Sequence, residues 1–352
     1  FTTTNIVLPS HADSRGLIYG GVVLGWIDLA AGMSAKRHAV GVRVETEHPI
    51  TGNILNICGS QSWKFENSST TRSENLPVTV PRIVPNTVIE THRYELAEQR
   101  RQARISQSKN AKIERAKLTK VREVMHEWAE HMNMETKSSA EIPPLLQEPD
   151  AYEEQNDNLD NDPAKLYLRR RRSTLQGILP TQPDEKLMSE SFAEIADIIL
   201  PQHANSLQIT FGGYIMRLME QCALVSAFKH SRRFLLLASI DSLQFIRPTY
   251  VGDCVTVRSI VSCTFHSSLE MYVSVEAENV LTGERFFTND GFFTIVAVDF
   301  SNIPTPVSHI RPVQPHMVEI FEGARTRRNH RLLQRKEIIQ KELSTHPEEF
   351  EQ

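Results

Sequence analysis

Cysteine is scarce, with four residues in a chain of 352. The cysteines show no spacing typical of a metal site, and three of them lie in apolar runs. We therefore expect reduced thiols of an intracellular protein, with neither a disulfide framework nor a bound metal. The four are Cys58, Cys222, Cys254 and Cys263.

An excess of positive charge and long apolar runs are also missing. Lys and Arg number 39 against 43 Asp and Glu, so no positive field favours a nucleic-acid partner. No apolar run reaches the length of a membrane-spanning helix, and neither a G-x-S-x-G motif nor a phosphate-binding loop occurs. The chain does contain 40% hydrophobic residues, enough for a core, and is long enough for two domains.

The chain repeats itself without a gap over two stretches, residues 5–38 and 197–230. The first reads "NIVLPSHADSRGLIYGGVVLGWIDLAAGMSAKRH" and the second reads "DIILPQHANSLQITFGGYIMRLMEQCALVSAFKH". Roughly a third of the aligned positions are identical, including a Leu-Pro, a His-Ala and a Gly-Gly pair. The two halves are therefore interpreted as copies of one unit.

The second copy shows the unit more clearly. An extended stretch leads into a loop, Gly212-Gly213 and an apolar helix that ends near His230, and strand-like runs with turn signals between them follow. The runs are "FLLLASIDSLQFI", "CVTVRSIVSCTF", "LEMYVSVEAE" and "RFFTNDGFFTIVAVD". This order predicts an α+β unit in which an antiparallel sheet wraps a central helix.

The residues that open each helix and join the strands resemble the hotdog fold, and more closely the double-hotdog acyl-CoA thioesterases of the cytosolic and brown-fat type. The resemblance is carried by "HADSRGLIYGGVVLGWID", "HANSLQITFGGYIMRLME", "FIRPTYVGD" and "FHSSLEMYVSVEAENVLTGERFFTNDGFFTIVAVD". It covers the second copy from about residue 197 to 299 and the first from about 5 to 38. It implies tandem hotdog folds that hydrolyse fatty acyl-CoA to a free fatty acid and CoA.

The first copy is shortened. After His38 the spacing is about eight residues shorter than in the second copy, and the strand equivalent to "LLLASIDSLQF" is mostly missing. The two closing strands have no counterpart, and Pro77, Pro81 and Pro85 disfavour a central strand there. A shortened hotdog and an imperfect gene model both remain open.

Four regions are predicted. Residues 1–75 form an incomplete first hotdog domain, 76–190 a helical region and linker, 191–300 the second hotdog domain, and 301–352 a helical tail. The charged stretch from about 87 to 132 reads as one or two surface helices, and an acidic, Pro-containing linker follows. The basic run at 169–172 reads as a solvated linker, with a nuclear signal, a phosphate patch or a kinase target at Ser173 as alternatives. The tail helix is expected to have an exposed basic face.

Each apolar helix contains one acid, Asp28 in the first and Glu220 in the second. Glu220 has Arg217 three residues earlier as an ordinary ion-pair partner. The neighbours of Asp28 at helical spacing carry no side-chain donor; they are Leu24, Gly25, Ala31 and Gly32. Because an isolated buried carboxylate is costly or has a raised pKa, Asp28 is the stronger candidate for a functional acid.

The resemblance implies that the loop amide of one hotdog faces the helix acid of the other. One composite site then combines Asp28 with Asn205, and the other combines Glu220 with Asp13. We favour the first as the catalytic pair, since the second brings two carboxylates together. The alternative for Asn205 and Asp13 is a loop or helix-capping role before the Gly-Gly turn.

Backbone N–H groups at a helix start can stabilise an oxyanion, and glycine allows close approach. Gly20, Gly21, Gly212 and Gly213 are the candidates. Asp28 would act as general base or as nucleophile, and both remain open. Cations for the phosphates of CoA are suggested at Arg247, Lys229, Arg232 and Arg233. The histidines that recur at positions 11, 203, 38 and 230 are further candidates for catalysis, but packing and capping explain their recurrence equally well.

The leading hypothesis is an acyl-CoA thioesterase, and the alternative is a non-catalytic acyl-CoA-binding or scaffold protein. A third arrangement pairs the second copy between two chains, with Asn205 and Glu220 in each site. The resemblance implies an acyl-CoA substrate, no separate cofactor and a homo-oligomer of double-hotdog units, often a trimer. We expect a cytoplasmic or mitochondrial protein; the first residue is Phe1 rather than Met, so the sequence does not separate the two compartments.

Overall fold

A computed structural model of the chain describes residues 5, 7–13, 16–35, 42–47, 54–61, parts of 84–102, and 111–138, 184–205, 208–299 and 301–345. His38, Pro77, Pro81, the acidic linker and the basic run at 169–172 lie outside the described residues. The limits of the four predicted regions stay a prediction, although the large sheet falls within 191–300.

The helices and strands that position the site are numbered along the chain. In order they are α1 (Gly20–Ala35), β1 (Val42–Glu47), β2 (Ile54–Gln61), α2 (Ala111–Ser138), β3 (Glu185–Leu187), β4 (Ala193–Ile198), α3 (Gly212–Ser231), β5 (Phe234–Phe245), β6 (Asp253–Thr264), β7 (Ser268–Asn279), β8 (Arg285–Val298), β9 (His309–Arg311) and α4 (Pro315–Thr345). Among the described residues, each helix is either too short or too polar to cross a membrane.

The sheet of the second half has five antiparallel strands in the order β4-β6-β7-β8-β5. Its four longest strands coincide with the four predicted runs, so that part of the sequence prediction is confirmed. Helix α3 packs against all five strands and supplies the centre of the core, in which Met219, Cys222 and Ala223 are buried together with Val273 and Ile295. The mixed α+β hotdog architecture of this half is therefore confirmed.

The other face of this sheet is covered by α2 and α4, so the central strands are buried on both faces. The expected surface position of α2 is wrong, because Val121, Val124, Met125 and Ala129 are buried against the sheet. Apolar residues three or four positions apart form one stripe, which is enough for one-sided packing even when most of the helix is polar.

Part of the expected exposed basic face of α4 is likewise bound to the sheet. Arg327 contacts the fully buried Glu270 on β7, with 2.6 Å between Nη2 and Oε1. Arg331 donates to Asp241 on β5, also at 2.6 Å. Both acids lie far from α4 in sequence, which is why the sequence did not indicate these partners.

The first half differs from the second in its strands. β1 has six residues where β5 has 12. The mostly missing strand of the first copy stays a prediction, because residues 36–41 and 48–53 on either side of β1 lie outside the described residues. β1 and β2 pair with each other in a two-stranded antiparallel sheet. In the five-stranded sheet, by contrast, β5 and β6 do not pair, because β7 and β8 lie between them. The absence of counterparts of β7 and β8 after Ser69 stays a prediction, because residues 62–83 lie outside the described residues.

Candidate active site

The site lies where α1 and α3 cross. Asp28 on α1 is buried, and its Oδ2 accepts a hydrogen bond of 2.9 Å from the backbone N–H of Gly213 in the first turn of α3. A Cβ atom on Gly213 would lie 2.6 Å from the Cα of Gly25 and 3.0 Å from the Cβ of Asp28. Glycine at this position therefore allows the two helix backbones to approach closely enough for the carboxylate to reach the helix start.

The same arrangement occurs with the helices exchanged. Glu220 on α3 is buried and accepts hydrogen bonds from the backbone N–H groups of Gly20, at 2.9 Å, and Gly21. A Cβ atom on Gly21 would lie 2.7 Å from the Cα of Arg217. Each acid thus binds the N-terminal turn of the opposite helix, where unpaired N–H groups and the helix dipole favour negative charge.

Burial raises the pKa of both acids. Desolvation is the largest effect on the pKa of Asp28, and hydrogen bonds from Gly213 and Gly212 oppose it. Desolvation likewise raises the pKa of Glu220, opposed by Gly21, Gly20 and, least of all, the charge of Arg217. The helix-start N–H groups are therefore larger influences on Glu220 than the Arg217 partner that the sequence suggested.

The loops before the two helices fold alike. Asn205 Oδ1 accepts from the N–H of Ile209 at 3.2 Å, and Asp13 Oδ1 accepts from the N–H of Leu17 at 3.0 Å. Such bonds close a turn locally, as the capping alternative expected. Asn205 is exposed and Asp13 is half-buried. The facing of Asp28 by Asn205, and of Glu220 by Asp13, stays a prediction.

The recurring histidines support these loops. Nδ1 of His11 accepts from the N–H of Leu8, and Nδ1 of His203 accepts from the N–H of Leu200, both at 3.2 Å. His230 is buried at the far end of α3, with its Nε2 2.8 Å from the carbonyl oxygen of Ser308. These contacts are those of capping and packing residues, as the packing and capping explanation of the repeated histidines expected.

The four candidate cations do not lie together. Lys229 lies at the end of α3 opposite to Gly213, about 24 Å away at about 1.5 Å per residue, and its Nζ donates to the carbonyl of Phe192 at 2.7 Å. Arg232 and Arg233 follow at the same end. Arg247 is exposed and close in sequence to Thr249, whose carbonyl accepts from Thr210 just before α3. Of the four, Arg247 alone lies beside the helix start.

Sequence reasoning missed a cluster beside Gly213. The hydroxyl of Tyr214 donates to Asp197 at 2.6 Å, and its ring stacks on His203 with 3.7 Å between ring centroids. The repeat contains a signal for this cluster, because the two copies differ at these positions: Tyr214 aligns with Val22, and Asp197 aligns with Asn5. Within the described ranges, no three or more His, Cys, Asp or Glu lie together in a way that could hold a metal ion.

The chain is similar to thioesterases and acyl-CoA thioester hydrolases. Residues 207–284 match the model of the thioesterase superfamily. An uncharacterized acyl-CoA thioester hydrolase of Bacillus subtilis is 32% identical over 149 residues, which is 42% of this chain and 87% of that protein. Mouse acyl-coenzyme A thioesterase 11 is 26% identical over 341 residues, 94% of this chain and 52% of that protein.

A crystal structure of an acyl-CoA hydrolase from Bacillus cereus has 30% sequence identity and a TM-score of 0.43, and the match covers 46% of this chain and 98% of that chain. The chain spans about half the length of the mouse relative. The match to the Bacillus subtilis protein covers 87% of that protein at 32% identity, which shows common descent. The chain therefore belongs to the acyl-CoA thioester hydrolases of the thioesterase superfamily.

Proposed function

We propose that this chain hydrolyses acyl-CoA thioesters to a carboxylic acid and CoA. The observation that carries the proposal is the buried Asp28 carboxylate, which α1 holds against the N–H of Gly213 at the start of α3. A thioester bound there would meet an acid with raised pKa and hydrogen-bond donors oriented by a helix dipole, the two groups that acyl transfer to water needs.

In the general-base route of the proposed reaction, Asp28 takes a proton from water, the water oxygen bonds to the thioester carbon, and the carbon–sulfur bond breaks. In the nucleophile route, an Asp28 oxygen bonds to the thioester carbon as the carbon–sulfur bond breaks, and water then attacks the resulting anhydride, whose bond to Asp28 breaks to release the carboxylic acid. The CoA sulfur leaves as a thiolate and takes up the proton that water has released. The N–H groups of Gly212 and Gly213 would stabilise the carbonyl oxygen as it becomes negative. The general-base and nucleophile roles of Asp28 both satisfy this balance.

Substrate binding would change the state of Asp28. In the structure the Gly213 N–H is bonded to the carboxylate, and this bond lowers the pKa of Asp28 against the effect of burial. A thioester oxygen that takes over this N–H would remove the bond, so the pKa of Asp28 would rise further. The acid would become a stronger base when the substrate is in place.

The finer architecture is part of the proposal. Two tandem hotdog folds, the first shortened, are supported by the duplicated loops and the reciprocal acid–glycine bonds of α1 and α3. The unit is proposed to associate further into a homo-oligomer and to work in the cytoplasm or in mitochondria, without a cofactor other than the CoA of its substrate. Asn205 would orient the water or the carbonyl in the Asp28 site.

The test is thiol release from acyl-CoAs of several chain lengths, measured on the full chain and on Asp28→Ala, Asn205→Ala and Glu220→Ala. We expect turnover by the parent and strong loss in the first two variants with folding intact. Tight acyl-CoA binding without turnover by the parent would instead support the non-catalytic binding protein. Loss confined to Glu220→Ala and Asn205→Ala would support the pairing of second copies between chains.

A further inference from the structure

We propose that Tyr214 is a positioning residue, whose phenol locks the loop that carries Asn205 onto β4 and α3. The inference rests on the proposed thioesterase function and assigns a role to a residue outside the acid–glycine pairs. Tyr214 directly follows Gly213, the residue whose N–H binds Asp28. Its hydroxyl donates to Oδ2 of Asp197 at 2.6 Å, at the end of the edge strand β4.

The second contact of Tyr214 is to the loop itself. The ring stacks on His203 at 3.7 Å with an interplanar angle of 15°. His203 in turn holds both ends of the loop, because its Nδ1 accepts from the N–H of Leu200 and its carbonyl accepts from the N–H of Phe211 at 2.9 Å. Strand, tyrosine, histidine and loop therefore form one continuous series of contacts.

The protonation states agree with these roles. Burial and the neighbouring Asp197 raise the pKa of Tyr214, so the phenol remains a donor. Burial lowers the pKa of His203, which favours the neutral ring whose Nδ1 can accept from Leu200. The charges of Asp197 and Arg217 act on both groups but with smaller effect than burial.

The equivalent position in the first half lacks this lock. Val22 and Asn5 align with Tyr214 and Asp197, and His11 contacts Trp26 edge-on at 5.5 Å instead of stacking on a phenol. The capping hydrogen bond from the N–H of Leu8 to Nδ1 of His11 is the same as that from Leu200 to His203 in the second half. The phenol–carboxylate bond is thus an addition to the loop of Asn205, which is the amide proposed to work with Asp28.

The experiment compares Tyr214→Phe with Tyr272→Phe. Tyr272, on β7, also donates its hydroxyl hydrogen to a carboxylate, that of Asp290 at 2.8 Å. The Tyr272 hydroxyl meets α2, where it accepts a hydrogen bond from Arg122. Each change removes one hydroxyl and keeps the ring. We expect Tyr214→Phe to lower kcat about tenfold or more with KM changed less than about threefold, because small displacements of a catalytic group cost this much. Tyr272→Phe should leave kcat within about threefold.

Two further measurements keep the result decisive. Asp197→Asn preserves an acceptor for the phenol and should retain most of the parent kcat. Amide hydrogen exchange at Ile209 and Phe211 should become faster in Tyr214→Phe and stay unchanged in Tyr272→Phe, and this readout needs no activity. Unchanged exchange in Tyr214→Phe, or equal loss of kcat in both Tyr variants, would overturn the lock. A parent without turnover but with faster exchange in Tyr214→Phe would overturn the proposed function and leave the lock standing.

Discussion

Asp28→Asn should separate activity from stability. The amide oxygen can still accept from the Gly213 N–H, so the variant keeps the cross-helix hydrogen bond and removes only the charge. A hydrogen bond to a charged group contributes about 1 kcal/mol more than a neutral one. The variant no longer buries a charge in a site where Asp28 is 5% exposed, and the two effects oppose each other. We expect the free energy of unfolding at pH 7 to change by no more than about 1 kcal/mol.

Activity should respond far more strongly. Loss of a general base typically lowers the rate about 10²–10⁴-fold, equivalent to about 3–5 kcal/mol of transition-state stabilisation. The assay is kcat/KM for thiol release from an acyl-CoA, with urea unfolding of the same preparations. Glu220→Gln is the matched control, since it also removes a buried charge bonded to helix-start N–H groups. Retention of parental kcat/KM in Asp28→Asn would refute the reasoning.

The pH dependence of the free energy of unfolding provides a second test of the burial of Asp28. Because the pKa of Asp28 in the folded protein is above 3.8, the folded state binds this proton more tightly than the unfolded chain does. That contribution is fully present below the unfolded pKa of about 3.9 and is lost as the pH rises through the folded pKa. The stability of Asp28→Asn relative to the parent should therefore increase from about pH 4 upward. A relative stability that decreases over this range would contradict the dominance of burial.

Three other outcomes follow from the packing. Gly213→Ala should lower the free energy of unfolding by about 1–3 kcal/mol, because its Cβ would overlap Gly25, whereas Gly25→Ala meets no atom within 4 Å and should change it by less than about 1 kcal/mol in urea unfolding. Arg327→Met should cost about 3–5 kcal/mol by leaving Glu270 buried without its partner, and adding Glu270→Gln should restore most of the loss. Cys222 is 0% exposed, so a thiol reagent should modify it only after unfolding, and rapid modification of the native protein would contradict its burial.

The sheet and the central helix of the second half were predictable because their signals are local. Runs of β-branched and aromatic residues between turn residues indicated β5 to β8, and the Gly-Gly pair with its apolar run indicated α3. The strand order was not predictable, because the pairing of β5 with β8 depends on contacts between segments far apart in the chain. The one-sided packing of α2 was missed for a related reason: its buried stripe is short, and its polar partners lie on strands.

Those partners are among the least predictable features. Arg122 on α2 donates to Tyr272 and Asp290, and Arg258 contacts both Glu194 and Glu276. Sequence patterns favour an exposed position for such residues, whereas in the fold the side chains of Arg122, Asp290 and Arg258 are 13% exposed or less and each contacts a group of opposite charge. A buried charge is tolerated only when its partner is present, and the partner is known only from the tertiary structure.

The two acids were singled out from the sequence because each is a lone carboxylate in one of two repeated apolar helices, and the structure buries both. The glycines that bind the two acids were predicted as site residues, but their contact with the acids was not predicted. The glycines were expected to face a substrate oxygen, and in the structure Gly213, Gly20 and Gly21 bind the acids themselves. Which helix start meets which acid is decided by the crossing of α1 and α3, and no local pattern encodes that crossing.

The contact between Asp28 and Gly213 can be measured directly by following the amide proton of Gly213 in NMR spectra of glycine-labelled protein as a function of pH. The account predicts a titration with a midpoint above 3.8, the ordinary pKa of aspartate, that disappears in Asp28→Asn and persists in Glu220→Gln. A Gly213 amide that shows no titration, or the same titration in Asp28→Asn, would contradict the composite site.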